Sequence, residues 1–381
     1  MSKYEMLKRD VLSEVESILY ELDTDIERNK QDFIGNYKTQ ILSLLENING
    51  QTSVSIGKIG IIMLMLSRIN IEQGLFSLKA KVYGNKIYVN NYGFDHLVDI
   101  SNVFEYIAKA KNNLMTNISK YLGVVEPCNI NAELNQYIPY FNMYTVNLLR
   151  EVLNDNEVQE AIKQLETFKD FFVVQGEIYE KPYLLFRSPD AIITKNLDKP
   201  DAENHHGNGD FGLPLAKSME YYLLEPDSDI NVPLDFSDYF SQTDVATNTV
   251  IKSDITEKTK FIDYARPVGH NISYHMFSDK IKAVIDGYAD DIDFYGVFVT
   301  SLDMKQQHAY WRIDPSKLKK IAAEDVNDMR EIKLPVDEIE GNTIFCITKA
   351  RHEYIVIRED LAEAILRRCP VGIKLARLYK R

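Results

Sequence analysis

Cysteine and tryptophan are scarce in this sequence of 381 residues, which has three cysteines and one tryptophan. Cys128, Cys346 and Cys369 are odd in number, widely spaced and without a CxxC pair, which argues against a disulfide framework and a cysteine-based zinc site. The most apolar stretch, Ile59 to Leu66, is far shorter than the roughly 20 residues of a membrane span, and it predicts a buried helix. No secretory signal is visible at the polar N-terminus. These absences favour a reducing, cytoplasmic compartment and no membrane partner.

Positive charge is also in short supply. The chain has 44 lysines and arginines against 57 aspartates and glutamates, which gives a formal net charge of −13. A surplus of acids argues against general nucleic-acid binding, because phosphate contacts need lysine and arginine. The same surplus favours a basic protein partner, since complementary charge speeds the encounter of two proteins and selects among partners.

The negative charge is concentrated in one segment. Residues 198–257 contain thirteen acidic residues and three lysines, so this segment carries −10 of the total charge. After Glu363 the chain has six basic residues and no acid. This segregation predicts that a basic partner docks on the surface made by residues 198–257, although such acids can equally serve only to keep a surface solvated. The candidate contacts from this segment are Asp227, Asp229, Asp235 and Asp238.

Hydrophobic periodicity predicts a helical first half. Apolar residues recur at spacings of three and four from Leu7 to Leu22 and again from Ile34 to Ile48, as on one face of a helix. Further helices are predicted over about residues 52–74, 103–118, 134–153 and 158–168. A small hairpin around Gly84 interrupts them. Residues 1–168 are therefore predicted to form a mainly α-helical N-terminal domain.

The second half predicts a mixture of helices and antiparallel hairpins. Residues 169–217 contain two short strands and a long polar loop or linker. In residues 218–381 helices and hairpins alternate without the regular spacing of βαβ units, which predicts an α+β domain. Asn271 or Ser273 is expected to cap a helix that carries Phe277 and Ile281. The fold class predicted for the whole chain is α+β.

One cluster resembles a metal site. His205, His206 and Asp210 lie in a loop-like segment, but they lack the spacing of metal ligands on a regular element, which favours a solvated loop. A metal-dependent hydrolase built on these residues is nevertheless an alternative function. The glycine-rich stretch 207–212 lacks the Gly-Lys-Ser/Thr ending of a phosphate loop, so no cofactor is expected. No nucleophile elbow surrounds any serine, and no catalytic or metal-binding residue is assigned.

Trp311, the only tryptophan, lies in a predicted strand between Tyr310 and Arg312. A tryptophan in this position is either part of the core or an interface anchor, a role in which tryptophan and arginine are enriched. We therefore include Trp311 among the candidate partner contacts.

Several motifs of the last third resemble a known family. They are Met219-Glu220-Tyr221-Tyr222-Leu223-Leu224, residues 271–287, Ala309-Tyr310-Trp311-Arg312-Ile313, Asp314-Pro315-Ser316, Ile344-Phe345-Cys346-Ile347, residues 355–361 and Gly372. Over roughly residues 218–381 the chain resembles immunity protein 43 of bacterial polymorphic toxin systems. The motifs are structural rather than catalytic, and residues 1–168 lie outside the resemblance.

The resemblance implies a cytoplasmic, non-catalytic protein that neutralises a cognate bacterial toxin by binding it. The acidic segment is compatible with a basic toxin domain as the partner. A two-domain adaptor, in which each half recruits its own partner, is a second alternative function beside the hydrolase.

Overall fold

The structure is a computed structural model, and it describes residues 2–52, 58–84, 94–121, 123–177, 182–188, 220–227, 248–253, 262–266, 274–289, 292–302, 307–322, 329, 332–339, 341–349 and 352–380. Over these residues the protein is an α+β mixture, which confirms the predicted fold class. The chain divides into two compact units. The single-sheet unit comprises residues 16–109 and 138–218, and the two-sheet unit comprises residues 1–15, 110–137 and 219–381.

The single-sheet unit combines helices with one five-stranded sheet. Its elements are most of α1 (Lys3–Thr52), β1 (Ile59–Leu66), α2 (Arg68–Glu72), β2 (Ser77–Tyr83), β3 (His96–Asp99), the first part of α3 (Ser101–Thr116), α5 (Ile138–Leu153), α6 (Asn156–Lys163), β4 (Thr167–Glu177) and β5 (Tyr183–Arg187). The strand order of this first sheet is β3-β2-β1-β4-β5, with β1 and β4 parallel and the other pairs antiparallel. Polar contacts join the helices to one another and to the sheet: Tyr37 of α1 donates to Asn102 of α3, and the buried Gln175 of β4 donates to Asn142 of α5.

The prediction of a buried helix at Ile59–Leu66 is wrong. This stretch is β1, the central strand of the first sheet, and all eight of its residues are buried. A short, continuous apolar run fits a buried helix and a strand covered on both faces equally well, so periodicity alone does not separate them. The parallel pairing with β4, more than 100 residues further along the chain, decided the outcome.

The two-sheet unit contains most of the remaining elements. Its helices are the first turns of α1, the end of α3, α4 (Pro127–Asn135), α7 (Asp279–Asp286), α8 (Val336–Ile339) and α9 (Glu359–Leu366). Its strands are β6 (Tyr221–Pro226), β7 (Thr249–Ser253), β8 (Tyr264–Ala265), β9 (His275–Ser278), β10 (Phe294–Ser301), β11 (Gln307–Ile313), β12 (Lys320–Ala322), β13 (Lys333–Leu334), β14 (Ile344–Lys349), β15 (His352–Arg358) and β16 (Ile373–Lys380). The second sheet has the order β7-β10-β11-β9-β8, and the third has the order β12-β14-β15-β6-β16-β13.

Local pairings in this unit follow the prediction closely. The antiparallel pairs β10–β11 and β14–β15 are confirmed, as are the strand at Tyr221 and the final helix that begins at Glu359. The predicted helix start near residue 273 is wrong, because His275–Ser278 forms the buried strand β9 and α7 begins only at Asp279. Phe277 therefore belongs to the sheet. Its neighbours β8 and β11 stabilise β9 through hydrogen bonds that no local propensity reveals.

The compact units are not contiguous in sequence. Residues 1–15 and 110–137 belong to the same unit as residues 219–381, whereas residues 16–109 and 138–218 form the other unit. The predicted helical range 1–168 contains β1, β2 and β3 and the start of β4. That residues 1–168 and 218–381 are separate domains stays a prediction.

Candidate functional site

Most of the residues that the sequence singled out lie outside the described residues. Asp229, Asp235 and Asp238 fall there, as do His205, His206 and Asp210 of the alternative metal site. Asp227 and Trp311 lie within the described part of the chain, and both belong to the two-sheet unit.

Asp227 is held by the basic C-terminal strand. Its carboxylate lies 2.7 Å from the ammonium of Lys374, and its side chain is only 10% exposed. At the other end of β6, Glu220 accepts a 2.6 Å hydrogen bond from Arg377. Both ion pairs result from the antiparallel pairing of β6 with β16. This pairing places the acidic residues at the two ends of β6 beside the basic residues of β16. Asp227 and Glu220 therefore form ion pairs within the third sheet, and the carboxylate of Asp227 is poorly placed to contact a partner.

We expect the Lys374→Glu substitution to destabilise the protein by about 1–2 kcal/mol, because a second carboxylate then faces the nearly buried one of Asp227. The combined Asp227→Lys and Lys374→Glu variant should regain most of this loss. Chemical denaturation of both single variants and the double variant measures the coupling. Additive losses in the double variant would contradict the pairing.

Trp311 stands in an aromatic row that runs across the second sheet. The register aligns Trp311 with Gly296 of β10 on one side and with Phe277 of β9 on the other, and Phe277 is aligned with Tyr264 of β8. The rings of Tyr264 and Phe277 stack with centroids 5.1 Å apart and are fully buried. Trp311 is only partly buried. The row therefore begins in the core and reaches the surface at Trp311.

The row continues toward the edge strand β7. The Phe298 ring lies over Gly296, where a Cβ atom would meet the ring at 2.7 Å, and it contacts Trp311 edge-on with centroids 6.3 Å apart. Val250 of β7 is aligned with Phe298 and is 63% exposed. The opposite face of β10 carries Val297 and Val299 in the core, so this face of the strand is the outward one. We call the group formed by Trp311, Phe298, Phe294 and Val250 the aromatic surface.

Helix α7 supplies polar groups to the aromatic surface. The indole Nε1–H of Trp311 donates a hydrogen bond to the carboxylate of Asp279, the first residue of the helix. The Lys282 ammonium lies 5.1 Å from the centroid of the Trp311 ring and 4.9 Å from that of Phe294. It also donates to the carboxylate of Asp286 one turn further along. A surface that combines partly exposed rings with carboxylates and a cation is typical of a protein-binding site.

Two other polar clusters of this unit, around His275 and Asp263, are buried. His275 is fully buried: its Nδ1 accepts a 2.7 Å hydrogen bond from the Tyr264 hydroxyl, and its Nε2–H donates to the Glu353 carbonyl at 3.1 Å. Asp263 accepts hydrogen bonds from the Ser278 hydroxyl and the Val371 amide. Both clusters join separate strands and segments through satisfied hydrogen bonds. This structural role explains why polar residues are buried there.

The cysteines agree with the prediction from spacing. Cys128 and Cys346 are buried, Cys369 is partly buried, and none of the three forms a disulfide. Burial raises the pKa of the Cys128 and Cys346 thiols to about 12. Both thiols are therefore protonated at neutral pH and unreactive as nucleophiles.

Sequence reasoning found Trp311 but missed Asp279, Lys282 and Phe298. The alternation of residues along a strand places Phe294 and Phe298 on one face of β10. The spacing of three places Asp279 and Lys282 on one face of α7. Nothing local indicates which face is covered. That information lies in the register of β9, β10 and β11.

No protein-family model matches the chain, and no curated protein matches its sequence. Within the described ranges, no helix is both long and apolar enough to cross a bilayer. In the same part of the chain, no group of three or more histidine, cysteine, aspartate or glutamate side chains is arranged to hold a metal ion.

Proposed function

We propose that this is a non-catalytic binding protein that neutralises a cognate bacterial toxin by forming a protein–protein complex, and that the aromatic surface is its main contact. The observation that carries the binding role is the position of the single tryptophan. Trp311 is partly exposed beside Phe298 and the 63% exposed Val250, and a carboxylate holds its indole N–H. Tryptophan is enriched among the few residues that supply most of the binding energy of an interface.

The resemblance of residues 218–381 to immunity protein 43 supports the identity of the partner as a toxin. Three of the resembling motifs, namely β6, β14 and the junction of β15 with α9, are neighbours in or beside the third sheet, and β11 belongs to the second sheet. The partner is expected to carry basic residues, because the chain has a net charge of −13. The internal pairing of Asp227 with Lys374 moves our expected contact from this acid to the aromatic surface.

The test uses the product of the neighbouring gene, expressed with and without this protein. We expect that product to be toxic alone, to co-purify with the wild-type protein and to lose at least about 30-fold in affinity for the Trp311→Ala variant, as a hot-spot residue predicts. Tyr379→Ala is the matched control, since Tyr379 is 63% exposed in the same unit but lies on the third sheet. The proposal fails if the neighbouring product neither binds nor is toxic.

A further inference from the structure

We propose that Trp311, Phe294, Asp279 and Asp286 form a receptor for an arginine side chain of the partner, and that Lys282 of the same chain occupies this receptor in the free protein. This inference rests on the proposed function, because it states the chemistry by which the aromatic surface recognises its partner. It also predicts a regulatory property, namely that the protein's own lysine competes with the partner.

The position of Lys282 shows what the receptor binds. Its ammonium lies within 6 Å of the centroids of two rings, 4.9 Å from Phe294 and 5.1 Å from Trp311, which is the range of cation–π attraction. The carboxylate of Asp286 accepts a hydrogen bond from the same ammonium. Two aromatic faces and a carboxylate that converge on one cation are the groups that recognise a basic side chain.

Asp279 gives the receptor a second carboxylate. It accepts the indole N–H of Trp311, which fixes the orientation of the ring. An ionised carboxylate has about four acceptor positions, so one indole donor leaves Asp279 able to bind a further donor. Asp279 is exposed at the first position of α7, where an arriving side chain can reach it.

Lys282 is a weak occupant. Its pair with Asp286 is a local i, i+4 contact on the outer face of α7, with side chains 24% and 44% exposed, and local pairs of this kind contribute little to stability. A guanidinium suits the same groups better, because it is planar, stacks on an indole and forms two parallel hydrogen bonds to a carboxylate. An arginine from a partner therefore displaces Lys282 with a net gain in binding free energy. A lysine from a partner would form the same contacts as Lys282 and gain nothing.

The single tryptophan makes the receptor directly observable, since all indole fluorescence comes from Trp311. The probe is an acetylated, amidated hexa-arginine peptide, titrated into the full-length protein at low salt, with hexa-lysine as the comparison. We expect the Lys282→Met variant, which keeps the stem and removes the charge, to bind hexa-arginine about 5- to 10-fold more tightly than wild type. Asp279→Asn and Asp286→Asn should each weaken the binding seen with Lys282→Met by a similar factor.

The control separates a specific receptor from general attraction to an acidic protein. Lys319→Met makes the same change in net charge, and the Lys319 ammonium contacts the Glu338 carbonyl rather than an aromatic ring. Equal effects of Lys319→Met and Lys282→Met would overturn the inference, as would equal affinity for hexa-arginine and hexa-lysine. A difference of about 5- to 10-fold that is confined to Lys282→Met and to arginine supports it.

The same variants tell failure of this inference from failure of the proposed function. Suppose that Trp311→Ala no longer binds the neighbouring gene product, while Lys282→Met binds it no more tightly than wild type. The aromatic surface is then a contact but not an arginine receptor. If Trp311→Ala and wild type bind that product equally, the proposed contact fails. In that case the peptide titration still decides whether the receptor binds arginine.

Discussion

Between about pH 7 and pH 5.5 we expect the two-sheet unit to lose stability through His275. Burial, and secondarily the charge of Arg266, lowers the pKa of this imidazole from 6.5 to about 3. Its Nε2–H donates to the Glu353 carbonyl, so Nδ1 must accept the proton of the Tyr264 hydroxyl. Both nitrogens are satisfied only in the neutral form, and the folded protein therefore resists protonation of His275.

The direction of the effect follows from proton binding. Below pH 6.5 the unfolded chain protonates this histidine while the folded chain does not, so the unfolded state is increasingly favoured. The contribution of neutral His275 is fully present above pH 6.5 and is lost progressively as the pH falls toward 3. One proton changes the free energy of unfolding by at most about 1.4 kcal/mol per pH unit, so about 1 kcal/mol is lost between pH 7 and 5.5.

Denaturant titrations followed by Trp311 fluorescence measure this dependence, since Trp311 lies on the same sheet as His275. In the His275→Gln variant, the loss of unfolding free energy between pH 7 and pH 5.5 should be about 1 kcal/mol smaller than in the wild type. His352→Gln, a partly exposed histidine at the start of β15, serves as the control. Identical slopes for wild type and His275→Gln would refute the assignment. The interval lies above the ordinary pKa range of carboxylates, which keeps their titration out of the comparison.

In the single-sheet unit we expect Arg68→Met to cost about 3–5 kcal/mol of unfolding free energy, because it leaves the buried carboxylate of Glu177 without its main partner. The guanidinium of Arg68 forms two hydrogen bonds to this carboxylate, 2.7 Å from Nε and 3.0 Å from Nη2. The two residues are only 5% and 9% exposed. The pair joins the start of α2 to the end of β4.

The double substitution Arg68→Met with Glu177→Leu should regain most of the loss, because an apolar pair of similar size removes both charges from the interior together. Urea unfolding followed by circular dichroism is the measurement, since the helices of this unit dominate that signal. Lys163→Met is the control, because its partner Glu160 lies on the same exposed face of α6, and both side chains are 68% exposed. The control should shift stability by no more than about 0.5 kcal/mol. A loss below about 1 kcal/mol for Arg68→Met would show that the pair is not isolated from water.

Elements with strong local signals were predicted well from the sequence. The pairing of Phe294–Val299 with Ala309–Ile313 follows from two nearby apolar runs, and hairpin partners close in sequence need little loop entropy to meet. The last helix has an acidic first turn and ends shortly before Pro370, and both of its ends are local features. Periodicity likewise indicated the buried face of α1, on which Leu7, Leu22 and Ile41 are buried.

Elements whose identity depends on distant partners were predicted badly. Ile59–Leu66 became a strand because β4 pairs with it, and His275–Ser278 became a strand because β8 and β11 flank it. The candidate site shows the same division. Composition alone identified Trp311 as unusual, but its partial exposure depends on the register of the second sheet and on the position of α7.

The sequence by itself determined the fold class, the absence of a disulfide among three dispersed cysteines and the segregation of charge along the chain. Only the tertiary structure decided what the described acids at the two ends of β6 contact. The antiparallel pairing of β6 with β16 places acids and bases more than 140 residues apart side by side, so that Asp227 and Glu220 are already paired within the chain. Electrostatic interaction depends on distance in space, which a linear sequence does not contain, and we therefore propose Trp311 rather than the internally paired Asp227 as a partner contact.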